Sequence, residues 1–176
     1  MTIASTPAAA AGRLSSQLSA CLSEDSEWYL ALSRLARGEA GLHLAVLLEP
    51  FCSWLLDGTK TIESRFSRVR CAPYGTLAEG DVVVVKKTGG PVCGAFQAGT
   101  VRSYQLTPGR VIELRGQFAA QICGYDDEFW AQRADCAYAT LVDVTHARAL
   151  PGLAFPKKDR RGWVQLTRPS LQDTLL

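Results

Sequence analysis

Gly58-Thr59-Lys60-Thr61-Ile62-Glu63-Ser64-Arg65 brings a cation, a carboxylate and a guanidinium together just after a short apolar helix. Read as a strand, it puts Thr61, Glu63 and Arg65 on one face and Lys60, Ile62 and Ser64 on the other. Ile62 is the natural core residue, so Glu63 and Arg65 are expected to point together away from it. Lys60 stands at the helix-to-strand junction and can lean over the same rim. Two positive groups and one negative group would then form a small polar cluster, suited to an anionic or hydrogen-bond-rich ligand. The plainer alternative is a surface ion-pair ladder, a common arrangement worth ~0–1 kcal/mol.

The flanking residues carry a resemblance. Glu49-Pro50-Phe51, Trp54-Leu55-Leu56-Asp57-Gly58 and the G-x-K-x-x-E-x-R spacing of Gly58, Lys60, Glu63 and Arg65 resemble the signature of the ASCH domain. The resemblance runs from about Leu42 to Arg168. It continues in Ala78-Glu79-Gly80-Asp81-Val82-Val83, in Gly89-Gly90 and in Arg161-Gly162-Trp163-Val164. It implies an α+β fold: a PUA-like small β-barrel with short helices inserted between strands, of a kind associated with RNA. It also implies that Lys60, Glu63 and Arg65 line a cleft between barrel and helices. Glu63 would hold the Arg65 fork, leaving Lys60 to meet a phosphate or a base carbonyl.

The apolar pattern supplies the elements. Residues 43–48 read as a central strand, and Pro50 opens a helix with Phe51, Trp54, Leu55 and Leu56 on its packed face. Lys60 to Phe66 is the next strand, followed by an irregular loop over 67–80 that contains Pro73, Gly75 and Gly80. Val82 to Lys86 is a buried strand, which Gly89-Gly90 turns into a strand over Val92 to Tyr104. Thr107 caps a helix that runs to Ile122, with Val111, Leu114, Phe118 and Ile122 at helical spacing. A short helix follows over Asp126 to Arg133, with acids at its N-terminus and Phe129 and Trp130 inward. Strands over Tyr138 to Leu150 and Gly162 to Leu166 complete the sheet.

Three parts are therefore expected: an N-terminal extension over 1–41, an ASCH/PUA-like domain over 42–168 and a tail over 169–176. Within the extension, 1–13 reads as disordered and 14–38 as helical, with Leu18, Leu22, Trp28, Leu32 and Leu35 as apolar contacts and Gly38 as a stop. This region lies outside the resemblance. Trp28, Tyr29 and Leu30 make a protein partner through 14–38 one use for it, and packing against the barrel another.

The net charge of +2 does not by itself point to a polyanion partner, but its distribution is uneven. Lys60 to Arg70 and Lys157 to Arg161 each hold four basic residues and one acid. Lys157, Lys158, Arg160 and Arg161 stand just before Trp163, and basic residues beside an aromatic suit phosphate and base together. Trp163 itself, opening a strand, reads mainly as core. Arg68, Arg70, Lys86 and Lys87 are candidates to extend the positive surface. Tyr104 and Tyr138 are candidate cleft residues, and His146 reads as structural or exposed.

The six cysteines form no C-x-x-C pair and, with two histidines, suggest free buried thiols in a reducing compartment with no metal site. No cofactor is called for. No apolar run approaches the ~18 residues of a membrane span, and the N-terminus lacks the pattern of a secretion signal. Cytoplasm is the default.

Two functional classes follow. The first is an RNA- or nucleotide-binding module using Lys60, Glu63 and Arg65, with Lys157, Lys158, Arg160 and Arg161 on the backbone. The alternative is a hydrolase acting on RNA or on a modified nucleoside. Amidohydrolase-type ASCH relatives that act on acetylcytidine resemble this motif but place a threonine where Glu63 stands, so the hydroxyl nucleophile is missing here. A ribonuclease would need Glu63 as base with Lys60 and Arg65 as cations, yet a carboxylate paired to arginine makes a weak base.

Overall fold

Val82-Val83-Val84-Val85 is apolar on both faces of a strand, a pattern that is stable only where both faces are covered. In the computed structural model, which describes residues 7–156 and 160–170, this run forms the start of β3 (Val82–Lys87). Val82 and Val84 enter one core, while Val83 and Val85 enter another. β3 pairs in parallel with β1 (Leu42–Leu47) and antiparallel with β4 (Val92–Gln105). β5 (Tyr138–Leu153) pairs with β4 and with β2 (Ile62–Ser67), and β6 (Trp163–Thr167) pairs with β1. Among the described residues the order is β2-β5-β4-β3-β1-β6.

The sheet curls into a half-barrel. Register shifts interrupt the β3–β4 and β4–β5 ladders, and such bulges bend a strand and increase its twist. Gly94 allows the close approach this needs, since a Cβ there would lie 2.9 Å from the Arg148 carbonyl oxygen.

One face is covered by α1 (Pro7–Leu22) and α2 (Ser26–Ala36). Leu14, Leu18, Leu22, Trp28, Leu32 and Leu35 pack with Leu42, Leu44, Val82 and Val84. Asp25 caps α2 by accepting from the Glu27 amide at 3.0 Å, and the Trp28 indole N–H donates to the His146 carbonyl at 2.9 Å. After β6, the Ser170 amide and hydroxyl both donate to the Gly38 carbonyl, at 2.7 and 3.0 Å.

The N-terminal segment corrects one expectation. Residues 1–6 lie outside the described residues, but helix begins at Pro7, well inside the stretch read as disordered. The alanine run is a strong helix former, and Ala10 and Ala11 are buried. The side chain of Trp28 is fully enclosed by its own chain, while Tyr29 and Leu30 remain exposed.

α3 (Phe51–Leu56) packs in the core that holds Val83 and Val85, while α4 (Pro108–Ile122) and α5 (Asp127–Ala131) cover the opposite face at the β2–β5 end in a third cluster. Thr107 caps α4 by accepting from the Arg110 amide at 3.2 Å, and Asp126 caps α5 by accepting from the Phe129 amide at 2.6 Å. Val111, Leu114, Phe118 and Ile122 pack with Phe129, Trp130, Ile62 and Leu141. Among the described residues no helix is long and apolar enough to cross a membrane.

A buried polar chain ties β1, β6 and the turn before β3. The Trp163 indole N–H donates to His43 Nδ1 at 3.1 Å, so His43 presents its Nε2–H to Asp81 Oδ2, also at 3.1 Å. The Gly41 amide donates to Asp81 Oδ1 at 2.6 Å and the Ala78 amide to Oδ2 at 2.9 Å. Burial raises the Asp81 carboxyl pKa, but the bonds from His43, Ala78 and Gly41 outweigh it and leave the group below its ordinary 3.8.

A folded-state carboxyl held below its unfolded value contributes stability that is complete above about pH 3.8 and is lost as pH falls through the folded value. Asp81→Asn sets an amide N–H against at least one of these donors and should cost about 1–3 kcal/mol in urea unfolding at pH 7. The gap between wild type and variant should then narrow as pH is lowered below 3.8. Trp28→Ala, by emptying the α2 side of the core, should cost about 3–5 kcal/mol in the same assay.

Candidate functional site

Gly58, at φ 86°, ends α3 in the left-handed region open to glycine. The chain then turns so that the Lys60 amide donates to the Trp54 carbonyl at 2.8 Å. The Lys60 side chain folds inward rather than over a rim. Its Nζ donates to the carbonyls of Ile62 at 2.7 Å and Ile122 at 2.8 Å, lies 3.4 Å from Glu63 Oε2, and sits 5.7 Å from the Phe51 ring centroid. Ile122 is the last residue of α4, so this ammonium caps a helix C-terminus, where a cation is favoured. Burial lowers the Lys60 ammonium pKa, Glu63 raises it, and the balance leaves it below the ordinary value.

Glu63 is only 3% exposed, because the curled sheet covers the face of β2 that alternation assigns to solvent. Its Oε1 lies 2.8 Å from Arg65 Nε, at ion-pair distance but off the N–H axis. The Arg65 guanidinium continues outward. Nη1 donates to the Gly162 carbonyl at 3.1 Å and Nη2 to the Val46 carbonyl at 3.0 Å, while the plane lies 5.3 Å from the Trp163 ring. β2 and β6 are the two edges of the sheet, so the Arg65 side chain bridges the open seam of the half-barrel. Lys60, Glu63 and Arg65 therefore converge as a chain of charges that runs from the α4 terminus to the seam.

Arg65 reaches the wall of a cavity of about 160 Å³ at that seam. Tyr74, Tyr138, Thr140, Gly162 and Trp163 are among the other residues that line it. The Tyr74 and Tyr138 rings meet edge-on at 5.0 Å, and Arg70 lies over Tyr74 at 5.4 Å. The Thr140 hydroxyl is buried there without a hydrogen-bond partner, an uncommon state for an interior polar atom. Arg160 and Arg161 are exposed and lead directly into Gly162, while Lys157 and Lys158 lie outside the described residues. Arg68 pairs with Asp135 at 3.2 Å, and Lys87 pairs with Glu49 at 2.8 Å, away from this wall. Tyr104 lies outside the lining and packs with the α4 core.

A second crevice, about 370 Å³, opens beside Glu27, Asp57, His146 and Arg148. Its charges are largely matched within the chain: Arg148 with Asp25 at 2.7 Å and with Glu27, and His146 with Glu27 at 3.2 Å.

Sequence reading did not find Tyr74 and Thr140. Tyr74 stands in the 67–80 loop, where Arg70 four residues earlier was the available signal. Thr140 sits between apolar neighbours on β5, and nothing in its spacing marks an unpartnered hydroxyl.

This half-barrel with its inserted helices matches solved structures. A serine-to-alanine mutant of ASCH from Zymomonas mobilis aligns with a TM-score of 0.56 at 12% identity, covering 70% of this chain and 87% of that one. Another crystal structure of ASCH from Zymomonas mobilis aligns with a TM-score of 0.51 at 13% identity, covering 64% and 72%. The chain has the ASCH fold. No protein-family model matches the sequence, and comparison with curated proteins finds no match. At this identity the ASCH likeness is one of fold.

The charge chain makes an asymmetric prediction. Glu63→Ala leaves Lys60 buried without its carboxylate and Arg65 without its anchor, and should cost about 3–5 kcal/mol. Lys60→Met leaves the Glu63–Arg65 pair intact and should cost clearly less. Urea unfolding of both variants, compared with wild type, checks the order.

Proposed function

We propose that this ASCH-fold protein is an RNA- or nucleotide-binding module whose recognition pocket is the seam cavity beside Arg65. The supporting observation is the combination of a guanidinium, two tyrosine rings and an unpartnered buried hydroxyl around about 160 Å³. That volume lies well below the ~300–1,000 Å³ of drug-sized sites, so the pocket suits one ring system rather than a whole nucleotide. An unstacked base entering it would meet aromatic edges, the rim of the Arg65 guanidinium and the Thr140 hydroxyl. Arg160 and Arg161, with Lys157 and Lys158 from the same run, would hold the phosphates outside.

In this reading Lys60 and Glu63 serve the ligand at one remove. Glu63 fixes the angle of Arg65, and Lys60 balances Glu63 within the core. The same burial argues against Glu63 as a base for a 2′-hydroxyl, because Lys60 and Arg65 flank its two oxygens and solvent barely reaches it.

Fluorescence anisotropy with short single-stranded RNA at two salt concentrations tests this reading. Wild type should bind in a salt-dependent way, with affinity falling as about the 0.7 power of salt for each phosphate neutralised. The Arg160→Ala/Arg161→Ala double variant should reduce that slope, while Tyr138→Ala should weaken binding with little change in slope. No binding by wild type at low salt would remove the RNA reading.

A further inference from the structure

Cys52 on α3 and Cys93 on β4 are 41 residues apart in sequence, yet their Sγ atoms lie 3.2 Å apart. Both are free thiols. A disulfide bond is ~2.0 Å long, so the sulfurs need to approach by only about 1.2 Å for bonding. Three features distinguish this pair from an ordinary buried contact. Cys93 is a partly exposed residue while Cys52 is fully covered, so the pair is asymmetric. Lys87, the last residue of β3, pairs with Glu49 at 2.8 Å and brings its cation, together with that carboxylate, near both sulfurs. Gly94 lets β4 run close against α3 here, because its missing Cβ would contact the Leu56 side chain.

We propose that Cys52 and Cys93 form a peroxide-responsive dithiol that closes to a disulfide and ties α3 to β4. In the first step the Cys93 thiolate attacks one oxygen of hydrogen peroxide. The O–O bond breaks, Cys93 becomes a sulfenic acid, and the departing hydroxide takes up a proton as water. In the second step Cys52 Sγ attacks Cys93 Sγ. The S–O bond breaks, and the leaving hydroxide takes the Cys52 proton as a second water. Two electrons pass from the two sulfurs to the peroxide.

The environment fits this division of roles. The hydrogen bond from Cys52, opposed by burial and by the Glu49 carboxylate and aided by the Lys87 cation and backbone amide, holds the Cys93 thiol down at about 7. A thiol ionised near neutral pH is the better attacking group. Cys52 is pushed upward by the same shared proton and by burial, so it waits as the resolving thiol. The link would restrain the helix whose end carries the Trp54 carbonyl that holds Lys60.

Trypsin separates the two cysteines cleanly, into peptides 38–60 and 88–102, each with one cysteine. Reduced full-length protein is treated with one equivalent of hydrogen peroxide, alkylated with iodoacetamide, digested and mapped by mass spectrometry. The expected product is a dithiothreitol-sensitive 38–60/88–102 conjugate, formed ahead of oxidation at the exposed Cys21 and Cys71. In Cys52→Ser the conjugate should vanish, and Cys93 should advance to the sulfinic acid as peroxide is raised. If Cys52→Ser does not fold, the wild-type map decides alone. Full alkylation of both peptides while Cys21 or Cys71 is oxidised would overturn the proposal, as would coupling of Cys93 to any cysteine other than Cys52.

Discussion

The buried charge chain from Lys60 through Glu63 to Arg65 is the constraint on which the rest of this molecule depends. A lone ammonium or carboxylate inside a protein costs several kcal/mol, and each of these groups tolerates burial because of its neighbours. Lys60 is compensated by two carbonyls and Glu63, and one of those carbonyls belongs to the last residue of α4. Glu63 is compensated by Lys60 and Arg65. Arg65 finishes the chain on the carbonyls of Val46, on β1, and of Gly162, just before the far edge strand β6. One eight-residue stretch thereby connects a helix end, an edge strand and the barrel seam. The motif is a structural clasp, and of its three charged groups the guanidinium is the one that opens onto the cavity.

The second constraint is the covering of the sheet on both faces. The valine run of β3 alternates between two cores, so neither α3 nor the N-terminal pair can be removed without exposing one of them. Residues 7–36 are thus part of the packed unit rather than an attachment to it. The Asp81–His43–Trp163 chain acts across the same sheet. It places Trp163 with its indole N–H satisfied inside and its ring beneath Arg65, so the core and the cavity wall share one residue.

Much of the architecture was legible in the residues. Gly58 ending a helix, Thr107 and Asp126 as caps, and the apolar spacing of α4 all act through local backbone chemistry, which a sequence displays directly. Lys60, Glu63 and Arg65 of the G-x-K-x-x-E-x-R spacing do meet, but with Lys60 and Glu63 buried rather than set over a rim. The beginning of α1 was misread because an alanine run has no amphipathic pattern. Only the folded chain shows that Ala10 and Ala11 have a buried side.

By itself the sequence determined the order of elements, the caps and turns that bound them, and the charges available at the motif, since these depend on neighbours within a few positions. Only the tertiary structure decided which charges are hidden and which are offered. Strand alternation assigns Glu63 to an outer face, but curvature of the sheet folds that face inward and leaves Arg65 at the seam. The pairing of Tyr74 with Tyr138, the unpartnered hydroxyl of Thr140 and the contact between Cys52 and Cys93 were likewise invisible in the chain. Each joins residues at least 41 positions apart or rests on packing around a single side chain, and such proximity is set by sheet register and barrel closure rather than by local pattern.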